Sequence, residues 1–314
     1  MAKTAADRSV YVAHMTLASA TGSTPSRSRE TAGLALGLLG VAIFGGTLPA
    51  TRVALEIFSP SFVTFGRAAV ASVAAAVLLL LLRRRLPRAD IPALAAAGVL
   101  LVFGFPIMSS IAMQTVPASH GGVVLGILPL TTSIFAALIA GERPSPLFWL
   151  CGVAGAALVV TFAITDNGFT LTTGDLWLMG AAVAASLGYV ISGRLSQKMP
   201  GWEVISWALV LTAPVSIPAT MLIVQPEYGN ATASQMIAFL YLGFGSMFLG
   251  FFAWNIGLGM GGIARVSQVQ LLQSFFTLTF SAALLGETIP GSTIVFAVAV
   301  VAVVMLGRKA RVAR

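Results

Sequence analysis

Charge is scarce in this sequence: Asp, Glu, Lys and Arg make up only 9% of its 314 residues, against about 25% in ordinary soluble domains. So few ionic groups could not cover the surface of a water-soluble fold of this length. Cysteine is nearly absent. The single one, Cys151, sits in an apolar run, where it reads as a small helix residue and offers neither an intrachain disulfide nor a thiolate metal cluster. No HExxH, no Gly-rich phosphate loop, no Cys-His set and no embedded carboxylate pair occurs, so enzymatic chemistry has no constellation to carry it and no cofactor is expected. The net charge of +8 is not a nucleic-acid footprint, because Lys and Arg fall between apolar runs rather than on a patch interleaved with aromatics.

Apolar residues are what the chain has in abundance: they make up 57%, and the mean hydropathy is +0.94. Successive runs of about 20 residues match a bilayer core of about 30 Å, so lipid is the expected solvent. The runs predict ten membrane-spanning helices over residues 32–54, 60–82, 91–113, 118–140, 146–165, 175–194, 203–224, 235–257, 263–285 and 289–307. Short connections carry turn residues such as Pro87, Pro117, Pro144, Asn167-Gly168, Pro200-Gly201 and Pro290-Gly291. Residues 1–31 read as a disordered tail, since the weakly apolar stretch Val10–Leu17 is interrupted by His14 and Thr16 and forms no signal-peptide core. Residues 308–314 read as a second, basic tail.

With the first span starting in the cytoplasm, every basic residue except Arg52 and Arg67 falls in the tails, in cytoplasmic loops or at the cytoplasmic ends of spans. The opposite loops carry Glu56, Asp166, Asp175, Glu227 and Glu287. That asymmetry places both termini in the cytoplasm. The chain also repeats itself: Pro129–Glu142 aligns with Ser274–Glu287 at a constant offset of 145, matching Thr132 with Thr277, Phe135 with Phe280, Gly141 with Gly286 and Glu142 with Glu287. Each half, 32–165 and 175–307, holds five spans. An odd number inserts the second half upside down, and inverted repeats suit carriers that expose one central site alternately to the two sides.

Ser59-Pro60, Phe65-Gly66-Arg67, Pro129, Gly141-Glu142 and the second copy from Tyr241 to Glu287 together resemble the drug/metabolite transporter superfamily, in particular its ten-span EamA-type members. The resemblance spans residues 32–307. It implies an all-α bundle in a bacterial inner (plasma) membrane, as a monomer or homodimer, moving amino acids, other small polar metabolites or drug-like solutes, usually outward. One departure is Ser274 in place of a second Pro129, which predicts a weaker helix break in the ninth span.

Arg67 is the most informative charge, about 10 Å along the second span at 1.5 Å per residue. A mid-membrane Arg must be compensated, either by substrate anions in a cavity or by backbone carbonyls. Arg52, nearer a helix end, reads as a snorkelling anchor. Ser186, Tyr189, Trp207, Asn255, Gln270 and Gln273 are polar or amphipathic groups inside spans and should turn inward. They are candidate substrate contacts, although interhelical hydrogen bonds explain such residues equally well. Trp254 reads as an internal group or an interfacial anchor. Gln270 and Gln273 are expected to share a face opposite Leu125 and Leu128. Pro129, Gly126, Glu142 and Glu287 are the candidate hinge and gate residues.

No Asp or Glu lies in the middle of a predicted span, which favours facilitated movement or exchange over coupling through an embedded carboxylate. His120 is expected to be solvated or turn-bonded at the outer start of the fourth span. A channel would need a ring of filter residues, and none recurs. A non-transporting membrane scaffold or sensor is the alternative reading, though it gives no reason for an inverted repeat.

Overall fold

The computed structural model describes residues 27–140, 143–166, 171–261, 266–309 and 312–313. Within them the chain is built from ten apolar helices: α1 Glu30–Ala54, α2 Pro60–Leu81, α3 Arg88–Ala112, α4 Ala118–Ile139, α5 Pro146–Asp166, α6 Thr173–Leu195, α7 Gly201–Ile223, α8 Ala233–Met260, α9 Val269–Leu285 and α10 Gly291–Lys309. Helical structure already begins at Arg27, ahead of α1. A two-residue antiparallel pairing joins Arg143-Pro144 to Val312-Ala313. Large apolar side chains point outward, among them Leu222 at 85% and Leu80 at 77% exposure. That surface is tolerable only against lipid, and the chain is an integral membrane protein.

Local sequence sets the helix ends. Ser59 caps α2, its hydroxyl accepting from the Phe62 N–H at 3.2 Å, with Pro60 pre-set at the first helical position. α6 and α8 each open with a reciprocal capping box, Thr172 with Asp175 and Thr232 with Gln235. α9 closes at Gly286, which adopts the left-handed conformation at φ 65° that a side chain would oppose.

Packing follows the repeat. α1 lies on α8 as α3 lies on α6, and α4 lies on α6 as α9 lies on α1, while α2 pairs with α7, α4 with α9 and α5 with α10. Backbone irregularities repeat as well. α3 is π-helical over Val99–Gly104 and α8 over Tyr241–Gly250. α4 tightens to 3₁₀ over Leu125–Ile127, and the approach to Gln273 in α9 does so over Ser267–Leu272. Shifted by the offset of 145, the first member of each pair falls inside the second. The break expected to be weaker in the ninth span is therefore the longer one: losing proline restores a donor, but the tightened turn persists without it.

Helix directions confirm the inversion. α1, α3 and α9 end where α4 and α6 begin, because Arg52, Val116, Ala118, His120, Asp175 and Glu287 are joined there by hydrogen bonds. At the other end Arg84 pairs with Glu203 at 2.7 Å and Lys198 with Asp90 at 3.4 Å. The first is the acidic end, the second the basic end.

Candidate functional site

At the middle of the bundle the repeat-related helices surround a nearly closed cavity of about 20 Å³, room for about one water. Phe44, Thr47 and Leu48 of α1, Arg67 of α2, Leu101, Phe105 and Pro106 of α3, Leu125 of α4, Tyr189 of α6, Ser246, Met247 and Phe251 of α8 and Gln273 of α9 line it. The lining combines aromatic and aliphatic side chains with a guanidinium, hydroxyls and an amide.

Arg67 is 2% exposed. Its Nε donates to the Leu242 carbonyl at 3.1 Å and its Nη2 to Ser246 Oγ at 3.2 Å, both in the π-helical stretch of α8. Ser246 Oγ also meets Thr47 Oγ1 at 2.8 Å, so one hydroxyl ties α1, α2 and α8 together. Helix α1 turns at Gly46, beside the hydroxyl of Tyr241, which donates to the Ile43 carbonyl. Backbone and hydroxyl oxygens compensate Arg67 in this arrangement, and its side chain also lines the cavity. Its Nη1 finds no hydrogen-bond partner among the described residues, and neither does Gln273 Oε1. Two unsatisfied groups on residues that line one cavity, a donor and an acceptor, can bind a solute that carries both complements.

The other candidates divide. Tyr189 lines the cavity, its ring 6.2 Å from Phe251 and 6.1 Å from Trp254. Gln270 is 3% exposed with both amide atoms unpartnered among the described residues, yet it does not line the cavity. In a 3₁₀ turn residues three apart eclipse one another, so Gln270 sits on the same face as Gln273 but one turn further along the axis. Leu125 does stand with Gln273 at the cavity, while Leu128 does not. Ser186, Asn255 and Trp207 lie off it. Ser186 Oγ meets Thr131 Oγ1 of α4 at 2.5 Å. Asn255 donates to the Gly201 carbonyl at 3.1 Å and accepts from Ser192 at 3.3 Å. Trp207 packs with Leu79, Leu94, Leu195 and Val204. All three are placed to hold helices together. Trp254 is 2% exposed, which rules out an interfacial anchor.

Pro129 follows the 3₁₀ turn of α4, and Gly126 sits within it; a Cβ on Gly126 would come within 2.9 Å of Ser274 Oγ, so the glycine lets α4 and α9 touch. Glu142 lies outside the described residues. Glu287 does more than close α9. Its Oε1 and Oε2 accept from the Ala118 and Ser119 N–H groups at 2.9 Å each, satisfying the free donors at the start of α4. Arg52 is likewise no snorkelling anchor, since its Nη1 donates to the Met113 and Val116 carbonyls at 2.7 and 3.3 Å where α3 ends. The α3–α4 connection is thus clamped by a cation from α1 and an anion from α9. Both residues line a vestibule of about 460 Å³ at the acidic end.

Sequence reasoning missed one arrangement at this end. His120 is buried rather than solvated, its Nε2 2.7 Å from Asp175 Oδ1, and the Asp175 side chain is fully covered. Only the fold brings together these residues, 55 apart in the chain.

Two inverted five-helix repeats enclosing a central cavity at paired helix breaks are a plan recurrent among membrane transporters. The EamA-like transporter family model matches residues 31–164 and again 172–307. The chain belongs to that family, and so to the drug/metabolite transporter superfamily. An uncharacterized transporter of Bacillus subtilis, YdeK, is 38% identical over 90% of this chain and 99% of its own length. A probable terminal-alkyne amino-acid exporter of Streptantibioticus cattleyicolor is 25% identical over 86% and 91%. A solved crystal structure, 21% identical, superposes with a TM-score of 0.63 over 90% of this chain and 99% of its own and shares the fold.

Proposed function

We propose that this transporter moves amino acids or similarly small polar metabolites with an apolar portion, outward, by alternating access at the central cavity. The carrying observation is the amphipathic cavity itself: Arg67 and Gln273, whose Nη1 and Oε1 have no partner among the described residues, line it together with Phe44, Phe105, Tyr189 and Phe251. A carboxylate would accept from Arg67, an ammonium would donate to Gln273, and a side chain would lie on the rings. The name of the Streptantibioticus relative, an amino-acid exporter, agrees with this chemistry. Charge asymmetry orients the basic end toward the cytoplasm of a bacterial inner membrane and the vestibule outward. In the present arrangement the vestibule is open and the central site is shut. A monomer encloses the whole pathway, alone or within a homodimer.

Proteoliposomes loaded with a mixture of unlabelled amino acids and offered single labelled ones test the substrate class. Saturable uptake should be fastest for zwitterions with apolar or aromatic side chains and should be lost when the carboxylate is replaced by an amide. Uptake no faster than in empty vesicles across the whole panel would refute the reading.

A further inference from the structure

We propose that His120 and Asp175 form a proton-binding site, reached from the vestibule, that sets how readily α4 moves against α6. It rests on the transport reading above and deepens it by adding a control.

His120 is the third residue of α4 and Asp175 the third of α6; their side chains are 1% and 0% exposed, with Nε2 and Oδ1 2.7 Å apart. The imidazole stacks on Phe162 of α5, ring centroids 4.8 Å apart. The second carboxylate oxygen, Oδ2, accepts from the Thr172 N–H at 2.9 Å and the Thr172 hydroxyl at 2.8 Å, which fixes Asp175 to the start of α6. Imidazole is the side chain that ordinarily exchanges a proton between pH 5 and 8. Taking one up here converts a neutral ring beside a carboxylate into an ion pair of zero net charge, out of water, where such a change has its largest mechanical effect.

Among the described residues, the charged groups on the elements packed against the pair are these. α1 brings Arg52, held on the carbonyls of Met113 and Val116. α9 leads into Glu287, held on the N–H groups of Ala118 and Ser119. The one ionisable residue in the sequence of α5 is its last, Asp166, and α3 and α10 carry none at this end. Ser119, which immediately precedes His120, is hydrogen-bonded to Glu287, and Glu287 lines the vestibule, so a short path through the start of α4 connects the two.

α4 and α6 are joined at two levels, by His120 with Asp175 near the acidic end and by Thr131 with Ser186 deeper in the bundle. Only the first tie changes strength with a proton. A charged imidazole holds α4 and α6 in the arrangement seen, vestibule open and central cavity shut, and acid on the vestibule side therefore slows exchange. Asp175 lies at a helix start, outside the middle of the span, yet it is buried.

The test is solute counterflow in proteoliposomes with pH varied on both sides together, so that no gradient is imposed. For the wild type the rate should fall by about fivefold or more from pH 8 to pH 5.5, across the range in which an imidazole exchanges its proton. His120→Gln keeps a donor toward Asp175 but takes up no proton, so its counterflow should persist and lose the pH response. The sequence has two histidines, so His14→Asn leaves His120 as a lone reporter whose imidazole NMR signal should shift between pH 5 and 8 in the folded protein. Counterflow absent from wild type and variants alike would sink the transport reading. Counterflow in His120→Gln with the wild-type pH response, or a His120 signal that stays still over that range, would overturn the proton site alone.

Discussion

Gln273 is where the residue-scale account is most exposed to test. Its Oε1 has no hydrogen-bond partner among the described residues, and it lines the cavity that Arg67 also lines. Gln273→Leu keeps the volume and removes donor and acceptor, so a site that uses them should lose about 1 to 3 kcal/mol of binding to a polar solute. The half-saturation concentration in counterflow should rise by the corresponding factor while insertion and folding survive, and Gln270→Leu, off the cavity, should leave it unchanged. Equal effects from the two substitutions would show that these amides only pack helices. Hydropathy alone could say that Arg67, Tyr189, Asn255 and Ser186 turn inward, because lipid rejects their polar atoms. It could not separate Arg67 at the cavity from Asn255 at a helix junction, because that depends on which partners the neighbouring helices bring. His120 and Asp175 were harder still: each looks like an ordinary residue at a helix start, and only their meeting makes a buried pair.

At the scale of elements, the helices themselves were legible and their interiors were not. Runs such as 60–82 and 146–165 correspond to Pro60–Leu81 and Pro146–Asp166, since apolar length and capping residues mark helix ends. The π-helical stretches of α3 and α8 left no trace in hydropathy, which carries no information on backbone hydrogen-bond register. Neither did the clamp on the α3–α4 connection, built from residues more than 150 positions apart in the chain for Glu287. Removing that carboxylate frees two donors at the start of α4, a loss on the order of 1 to 2 kcal/mol for a capping group. Glu287→Ala should therefore lower the thermal midpoint in detergent and speed amide hydrogen exchange in a peptide covering Ala118 and Ser119. Exchange there at the wild-type rate would mean that the clamp contributes nothing.

For the whole molecule, the repeat offset gives an inverted pair of halves, and the fold bears it out in packing, in helix direction and in paired backbone irregularities. An arrangement open at the acidic end and shut at its centre has an inverted counterpart in which the halves exchange roles. The measurement that tests this most directly is two-sided accessibility of the central cavity. With Cys151→Ala removing the single native thiol, Leu125→Cys places a reporter on the cavity wall beside Gln273. In right-side-out and inverted vesicles, an impermeant thiol reagent should label that cysteine from either side, and saturating substrate should shift the two rates in opposite directions. Labelling from one side only, at a rate that substrate does not change, would contradict a single site alternately exposed.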